Sequence, residues 1–147
     1  MFWGCFSWHG LGPLVLVEEN MNSEAYVNIL AQHLIPWIHD HPHLIFQQDG
    51  ASVHTSTYTT WWTSTHNIQI LDWPPQSPDL NPIEHLWDHL DHKIRKRIPA
   101  PSSKNDLIQI IQEEWAGIEL NTLHNLILSL PNRVNATIKA KGRHTQY

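Results

Sequence analysis

Two carboxylates stand out by position in this 147-residue sequence. Asp49 ends the short apolar run Leu44-Ile45-Phe46-Gln47-Gln48-Asp49, and Glu84 follows with 34 residues between them, at the third place of the strongest helix pattern in the chain. Carboxylate oxygens are hard ligands of the kind Mg2+ prefers, and two such ions ~3.5–4 Å apart can stabilise the attacking and leaving oxygens of a phosphoryl displacement. Brought together with no metal, the same two groups would repel and raise one pKa. Spacing alone leaves a plainer alternative open, in which Glu84 caps its helix and Asp49 is a solvated strand end.

The elements that would position them can be read from periodicity. Phe2 to Phe6 and Pro13 to Val17 are β-prone runs separated by a glycine-containing turn. Asn22 or Ser23 can cap a helix from Glu24 to Ile38, whose apolar residues recur at three- and four-residue steps. The run ending at Asp49 reads as a buried strand, placing Asp49 at a carboxyl end, where open α/β sheets bind ligands. Thr55 or Ser56 opens a helix through Trp62, and Ile68 to Leu71 is a further strand. After the proline-rich segment Trp73 to Leu80, Asn81 sits at an N-cap, Pro82 at the first helical position and Glu84 at the third. Ile83, Leu86, Trp87, Leu90 and Ile94 line one face of that helix, and Lys93 to Arg97 give it a basic end suited to its dipole. A helix from Lys104 to about Trp115 follows, then a last helical segment within Leu120 to Lys141 that Pro131 should interrupt. The order β, β, α, β, α, β, then helices describes an α/β domain with a helical end.

Charge is divided along the chain. Residues 1–92 contain ten acidic residues and no Lys or Arg, whereas residues 93–147 hold all nine basic residues against four acidic ones. Lys93, Arg95, Lys96, Arg97, Lys139, Lys141 and Arg143 are therefore candidates for binding phosphate, with a solvated surface as the plainer reading. Six histidines, His39, His41 and His43 in one turn and His85, His89 and His92 on one helix, raise zinc, but they lack the HExxH order and cysteine partners. Trp87 and Trp115 read as core residues, while Trp73 beside the proline turn stays open. One cysteine, Cys5, gives no internal disulfide framework, and no apolar run approaches the roughly 18 residues of a membrane span.

Longer stretches carry a family likeness. Phe46-Gln47-Gln48-Asp49-Gly50-Ala51-Ser52-Val53-His54-Thr55, and the segment from Leu71 through Trp73-Pro74-Pro75-Gln76-Ser77-Pro78-Asp79-Leu80-Asn81-Pro82-Ile83-Glu84 to Trp87, closely resemble the Tc/mariner DDE transposases. Trp3-Gly4-Cys5-Phe6-Ser7, Met21 to Tyr26, and Leu130-Pro131-Asn132-Arg133-Val134 with Lys141-Gly142 and Tyr147 also look like that family, so the resemblance spans essentially the whole chain.

The resemblance implies a ribonuclease-H-like mixed sheet with flanking helices, residues 1–98 forming the sheet and catalytic helix and 99–147 the helical end. It implies Asp49 and Glu84 as the second and third catalytic, metal-binding carboxylates, with Mg2+ or Mn2+ as cofactor. The implied chemistry is attack by water, then by a DNA 3′-hydroxyl, on phosphodiester bonds. DNA bearing terminal inverted repeats is the implied partner, with a homodimer as a further expectation, no membrane, and the nucleus as location. In that family the first catalytic Asp lies on a central strand upstream of the Trp-Gly-Cys-Phe-Ser segment, where this sequence begins. The sequence-based expectation is accordingly a fragment lacking that Asp, the central strand and the N-terminal DNA-binding region, and inactive alone. The alternative function is a non-catalytic nucleic-acid-binding remnant or a decayed transposon product.

Overall fold

A computed structural model of the chain describes residues 1–18, 20–74, 77–143 and 145. Pro75 and Gln76 of the proline-rich turn and the terminal Tyr147 lie outside the described residues. Strands β1 (Phe2–Ser7) and β2 (Gly10–Leu16) pair into a two-stranded sheet. Only Trp8 and His9 separate them, a connection that antiparallel neighbours alone can use. The hairpin needs glycine twice. Gly10 has φ +146°, and a Cβ on Gly12 would collide with the Cys5 sulfur.

Helix α1 (Ser23–Ile29) starts where Asn22 accepts the Ala25 amide at 2.8 Å. Periodicity predicts one helix through Ile38. Instead, a wide π-type turn at Leu30–Leu34 separates α1 from α2 (Ile35–His39). Pro36 supplies the reason, because it has no N–H to return to the preceding turn; the Ile35 amide bonds to the Leu30 carbonyl in the widened register. Helices α3 (Ser52–Thr55) and α4 (Thr57–Thr65) follow, the second capped by Ser56, whose hydroxyl accepts the Thr59 amide at 3.1 Å.

The expected strands at Leu44 to Asp49 and Ile68 to Leu71 meet at one residue only. Phe46 and Ile70 form a parallel bridge, with the Phe46 amide on the Gln69 carbonyl and the Leu71 amide on the Phe46 carbonyl, both at 2.8 Å. Among the described residues the expected mixed sheet is thus a hairpin plus one bridge. Parallel ladders persist when paired and covered on both sides. Ile45, Ile70 and Leu71 are exposed here, and the pairing stops after one step.

Two compact units divide the chain, residues 1–4 with 15–77, and residues 5–14 with 78–147. The Glu84 helix therefore groups with the C-terminal helices, a different partition from one at residue 98. In the first unit α1 packs on α4, and Tyr26, Val27, Ile29, Leu30 and Leu34 are buried together with Thr59, Trp62 and Thr63. The second unit holds a short 3-10 turn (Pro78–Leu80), α5 (Pro82–Arg95), α6 (Lys104–Ala116), α7 (Leu120–Leu128) and α8 (Leu130–Lys139). Pro131 lies in the first turn of α8, where its missing amide is harmless, so the final helical segment splits into two helices at Ser129. Leu86, Leu90, Trp115, Ile118 and Leu123 form the core of this unit, each large apolar side chain contributing about 1.5–3 kcal/mol by burial. Among the described residues no helix is long and apolar enough to cross a membrane.

Candidate active site

Asp49 belongs to the first unit and is held by a local chain of polar interactions. Its Oδ1 accepts the Ala51 amide at 3.0 Å and the Nδ1–H of His54 at 2.6 Å. A carboxylate can only accept, so the second interaction places the hydrogen on Nδ1. His54 is in turn fixed from behind. Its ring packs against Tyr26 with centroids 4.3 Å apart, and its carbonyl accepts the Gln48 amide nitrogen at 3.4 Å. The Tyr26 hydroxyl donates to Gln48 Oε1 at 2.6 Å, and Tyr26 is fully buried. One turn further on, the buried Thr59 donates its hydroxyl to the Val53 carbonyl at 2.7 Å, tying α4 to the turn that carries His54. The outcome is one carboxylate oxygen engaged and the other, Oδ2, with no partner among the described residues, on a side chain 51% exposed.

Glu84 belongs to the second unit, in the first turn of α5, and is exposed. Local chemistry builds that turn as the sequence implied. Asn81 accepts the Ile83 amide through its side chain at 3.4 Å, and Pro82 occupies the first helical position. Leu86 and Leu90 are buried one and two turns further on, and Trp87 stacks on Trp115 at 5.2 Å between centroids. Both tryptophans are therefore core residues. The indole nitrogen of Trp73, in the first unit, is buried with no hydrogen-bond partner among the described residues.

Two further groups belong to the start of α5: Arg133, whose burial has no local sequence signal, and His85, which the sequence offers only as a zinc candidate. Arg133 on α8 is only 2% exposed, and it donates from Nη1 to the Asp79 carbonyl at 3.0 Å and from Nε to Ser129 Oγ at 2.7 Å. His85 has its pKa lowered from the usual 6.5 by desolvation first and by the Arg133 charge second, with Asp88 and Asp79 opposing.

The basic candidates fall into two sets. Arg97 bonds to Glu114 at 2.7 Å and Glu113 at 3.0 Å, Arg95 to Asp91 at 2.6 Å, and Lys93 approaches Glu114 at 3.9 Å. Lys96, Lys139, Lys141 and Arg143 are exposed and make no ion pair among the described residues. Of the histidines, His41 bonds through Nδ1 to the Trp37 carbonyl at 2.9 Å, and His39 lies 3.7 Å from Asp40. Among the described residues no three His, Cys, Asp or Glu side chains come together as a metal-holding group.

Comparison with known proteins gives this arrangement a lineage. The family described as DDE superfamily endonuclease matches residues 3–108. The chain belongs to this family, on its Tc/mariner transposase branch. Over 149 aligned residues it is 38% identical to the Tc1 transposase of Caenorhabditis elegans and 36% identical to the Tcb2 transposase of Caenorhabditis briggsae. All of this DDE-family chain is covered in both alignments but 54% of each relative, so it spans about half their length. The crystal structure of the Mos1 mariner paired end complex with Mn superposes with a TM-score of 0.84 at 22% identity, over 96% of this chain and 43% of that one. The Mos1 transposase catalytic domain with raltegravir and Mg gives a TM-score of 0.80 at 21% identity, over 97% and 75% respectively. The fold is thus that of the Mos1 catalytic domain, ribonuclease-H-like, with mixed α and β content.

Proposed function

We propose that Asp49 and Glu84 are metal-binding carboxylates of a transposase catalytic domain that acts on DNA phosphodiesters with Mg2+ or Mn2+. The observation that carries this reading is the Asp49 arrangement, in which His54 and the Ala51 amide hold Oδ1 of a half-exposed side chain and Oδ2 has no partner among the described residues. The donor set suits the proposed ions, since carboxylate oxygens match hard divalent cations. When bound, such ions supply charge stabilisation for an in-line displacement at phosphorus. The chain's own part is to fix the two carboxylates and to receive the DNA backbone. Lys96, Lys139, Lys141 and Arg143 are the cations best placed for phosphate, because Lys93, Arg95 and Arg97 are already engaged by carboxylates. The same reading extends to terminal-repeat DNA as partner, a second copy of the chain, and the nucleus as location.

The direct test incubates the purified chain with Mn2+ or Mg2+ and a labelled terminal-repeat duplex, alongside Mn2+ binding followed by EPR. Mn2+ binding weakened by both Asp49→Ala and Glu84→Ala is the expected result, and any nicking that the chain supports is abolished by Glu84→Ala. Mn2+ binding indifferent to both substitutions overturns the assignment. DNA binding that persists without nicking and ignores Asp49→Ala would instead favour the binding-only remnant.

A further inference from the structure

Arg133 is a buried cation that nothing in the proposed chemistry uses. At 2% exposure its guanidinium has left water, which is costly unless its donors are satisfied. Two of its donors go to chosen places. Nε meets Ser129 Oγ, four residues back at the start of α8, and Nη1 meets the carbonyl of Asp79 in the turn just ahead of α5. Asp79 is engaged on its other side as well, where its Oδ2 accepts both the amide of Thr145 at 2.7 Å and its hydroxyl at 2.9 Å. The C-terminal segment therefore grips one residue of the Pro78–Leu80 turn through its carbonyl and its carboxylate.

That turn leads directly into the helix carrying Glu84. The Asn81 amide bonds to the Pro78 carbonyl at 2.9 Å, and the Glu84 amide to the Asn81 carbonyl at 3.3 Å. Leu80 and Asn81 are 7% and 6% exposed, so the start of α5 is packed, yet Glu84 itself is exposed. Packing can bury a turn, but it sets rotation and register weakly. A planar guanidinium donating in two fixed directions sets both, and a lysine ammonium cannot occupy the Nε and Nη1 positions at once.

We propose that Arg133, acting with Thr145 through Asp79, is a positioning residue that sets the orientation of Glu84 from the far end of the chain. The inference rests on Glu84 being a metal-binding carboxylate. Removing the latch should loosen the first turn of α5 and weaken metal binding without dissolving the unit.

Hydrogen exchange read by mass spectrometry on the full chain tests this, with Arg133→Lys, Arg133→Gln and Asp79→Asn as variants. Exchange across 80–86 should rise about tenfold in Arg133→Gln, less in Arg133→Lys and Asp79→Asn, while α6 stays within about twofold of the parent. Mn2+ affinity by EPR should fall severalfold in Arg133→Gln and partly recover in Arg133→Lys. If Arg133→Gln fails to fold, the other two variants decide by the same readouts. Unchanged exchange at 80–86, or a rise spread equally over α6, overturns the latch. Mn2+ binding that depends on Glu84 but ignores every latch variant overturns it as well. Mn2+ binding indifferent to Glu84→Ala overturns the metal assignment, and with it the positioning of a metal ligand, even where the exchange pattern is as expected.

Discussion

His54 reaches Asp49 across a short turn, Nδ1 to Oδ1 at 2.6 Å, with the His54 side chain 18% exposed and that of Asp49 51% exposed. The imidazole sits between the buried Tyr26 ring and the carboxylate, so packing on one side is converted into direction on the other. Metal ligands are commonly oriented in this way, through a partner that is not itself a ligand, as the proposed role of Asp49 requires.

Replacing His54 should therefore affect metal binding more than folding. His54→Ala is expected to cost about 0.5–1.5 kcal/mol of stability, the net range for an ordinary hydrogen bond, because this one is solvent-exposed, and to weaken Mn2+ binding severalfold. His54→Asn, whose amide nitrogen can take the place of Nδ1, should recover part of the metal affinity. Urea unfolding and EPR titration separate the two effects; an Asn variant no better than Ala would show that the hydrogen bond does not orient Asp49.

Cys5 gives a prediction independent of the site. Burial pushes its thiol pKa up to about 12, so almost no thiolate exists near neutrality in the folded chain. Iodoacetamide at pH 8 should leave Cys5 largely unmodified in the native protein and alkylate it readily in urea, as followed by intact mass. Rapid native labelling would mean that the hairpin opens around Gly12, which packs against Cys5.

Some of this was legible in the sequence and some was not. The Asn81-Pro82-Ile83-Glu84 start of α5, the Asn22 cap and the core positions of Leu86, Leu90 and Trp115 follow from local rules and appear where those rules place them. The strand pairing at Phe46 and Ile70 shrank to one bridge because parallel pairing depends on neighbours rather than on the strand's own residues. The burial of Arg133 was invisible for a similar reason, since the carbonyl that receives it is 54 positions away. Arg97 reads as a free basic helix end until α6 brings Glu113 and Glu114 to it. The Asp49 to His54 hydrogen bond is implicit in the sequence, as five residues spanning a Gly-Ala-Ser turn are enough to fold an imidazole back onto a carboxylate.

The division of the basic residues can be measured by salt dependence. Neutralising Lys96 or Lys139 should weaken DNA binding at low salt and reduce the slope of log affinity against log salt. The reduction should be about 0.9 for each phosphate of duplex DNA that the protein no longer neutralises. Arg97→Gln should instead leave the slope nearly unchanged, because its guanidinium is held by two glutamates. Fluorescence anisotropy at three salt concentrations is sufficient. A slope that drops as much for Arg97→Gln as for Lys96→Gln would count the ion-paired set among the proposed DNA contacts.

His85 links the Glu84 helix to pH. Desolvation and the Arg133 charge hold its folded pKa below the usual 6.5, against the opposing pull of Asp88 and Asp79. Between the lowered value and 6.5 the unfolded chain binds more protons than the folded one, so stability increases with pH across that window. His85 thus makes its full contribution above 6.5 and loses it as pH falls through the lowered folded value. His85→Asn should flatten the fall in urea midpoint between pH 7.5 and pH 5 relative to the parent chain. In NMR titration the His85 ring should have its midpoint below 6.5, moving upward in Arg133→Gln, which removes a neighbouring cation, and little in Arg133→Lys, which keeps one. A midpoint at or above 6.5 in the parent chain would mean that Asp79 and Asp88, not Arg133, dominate the field at the start of α5.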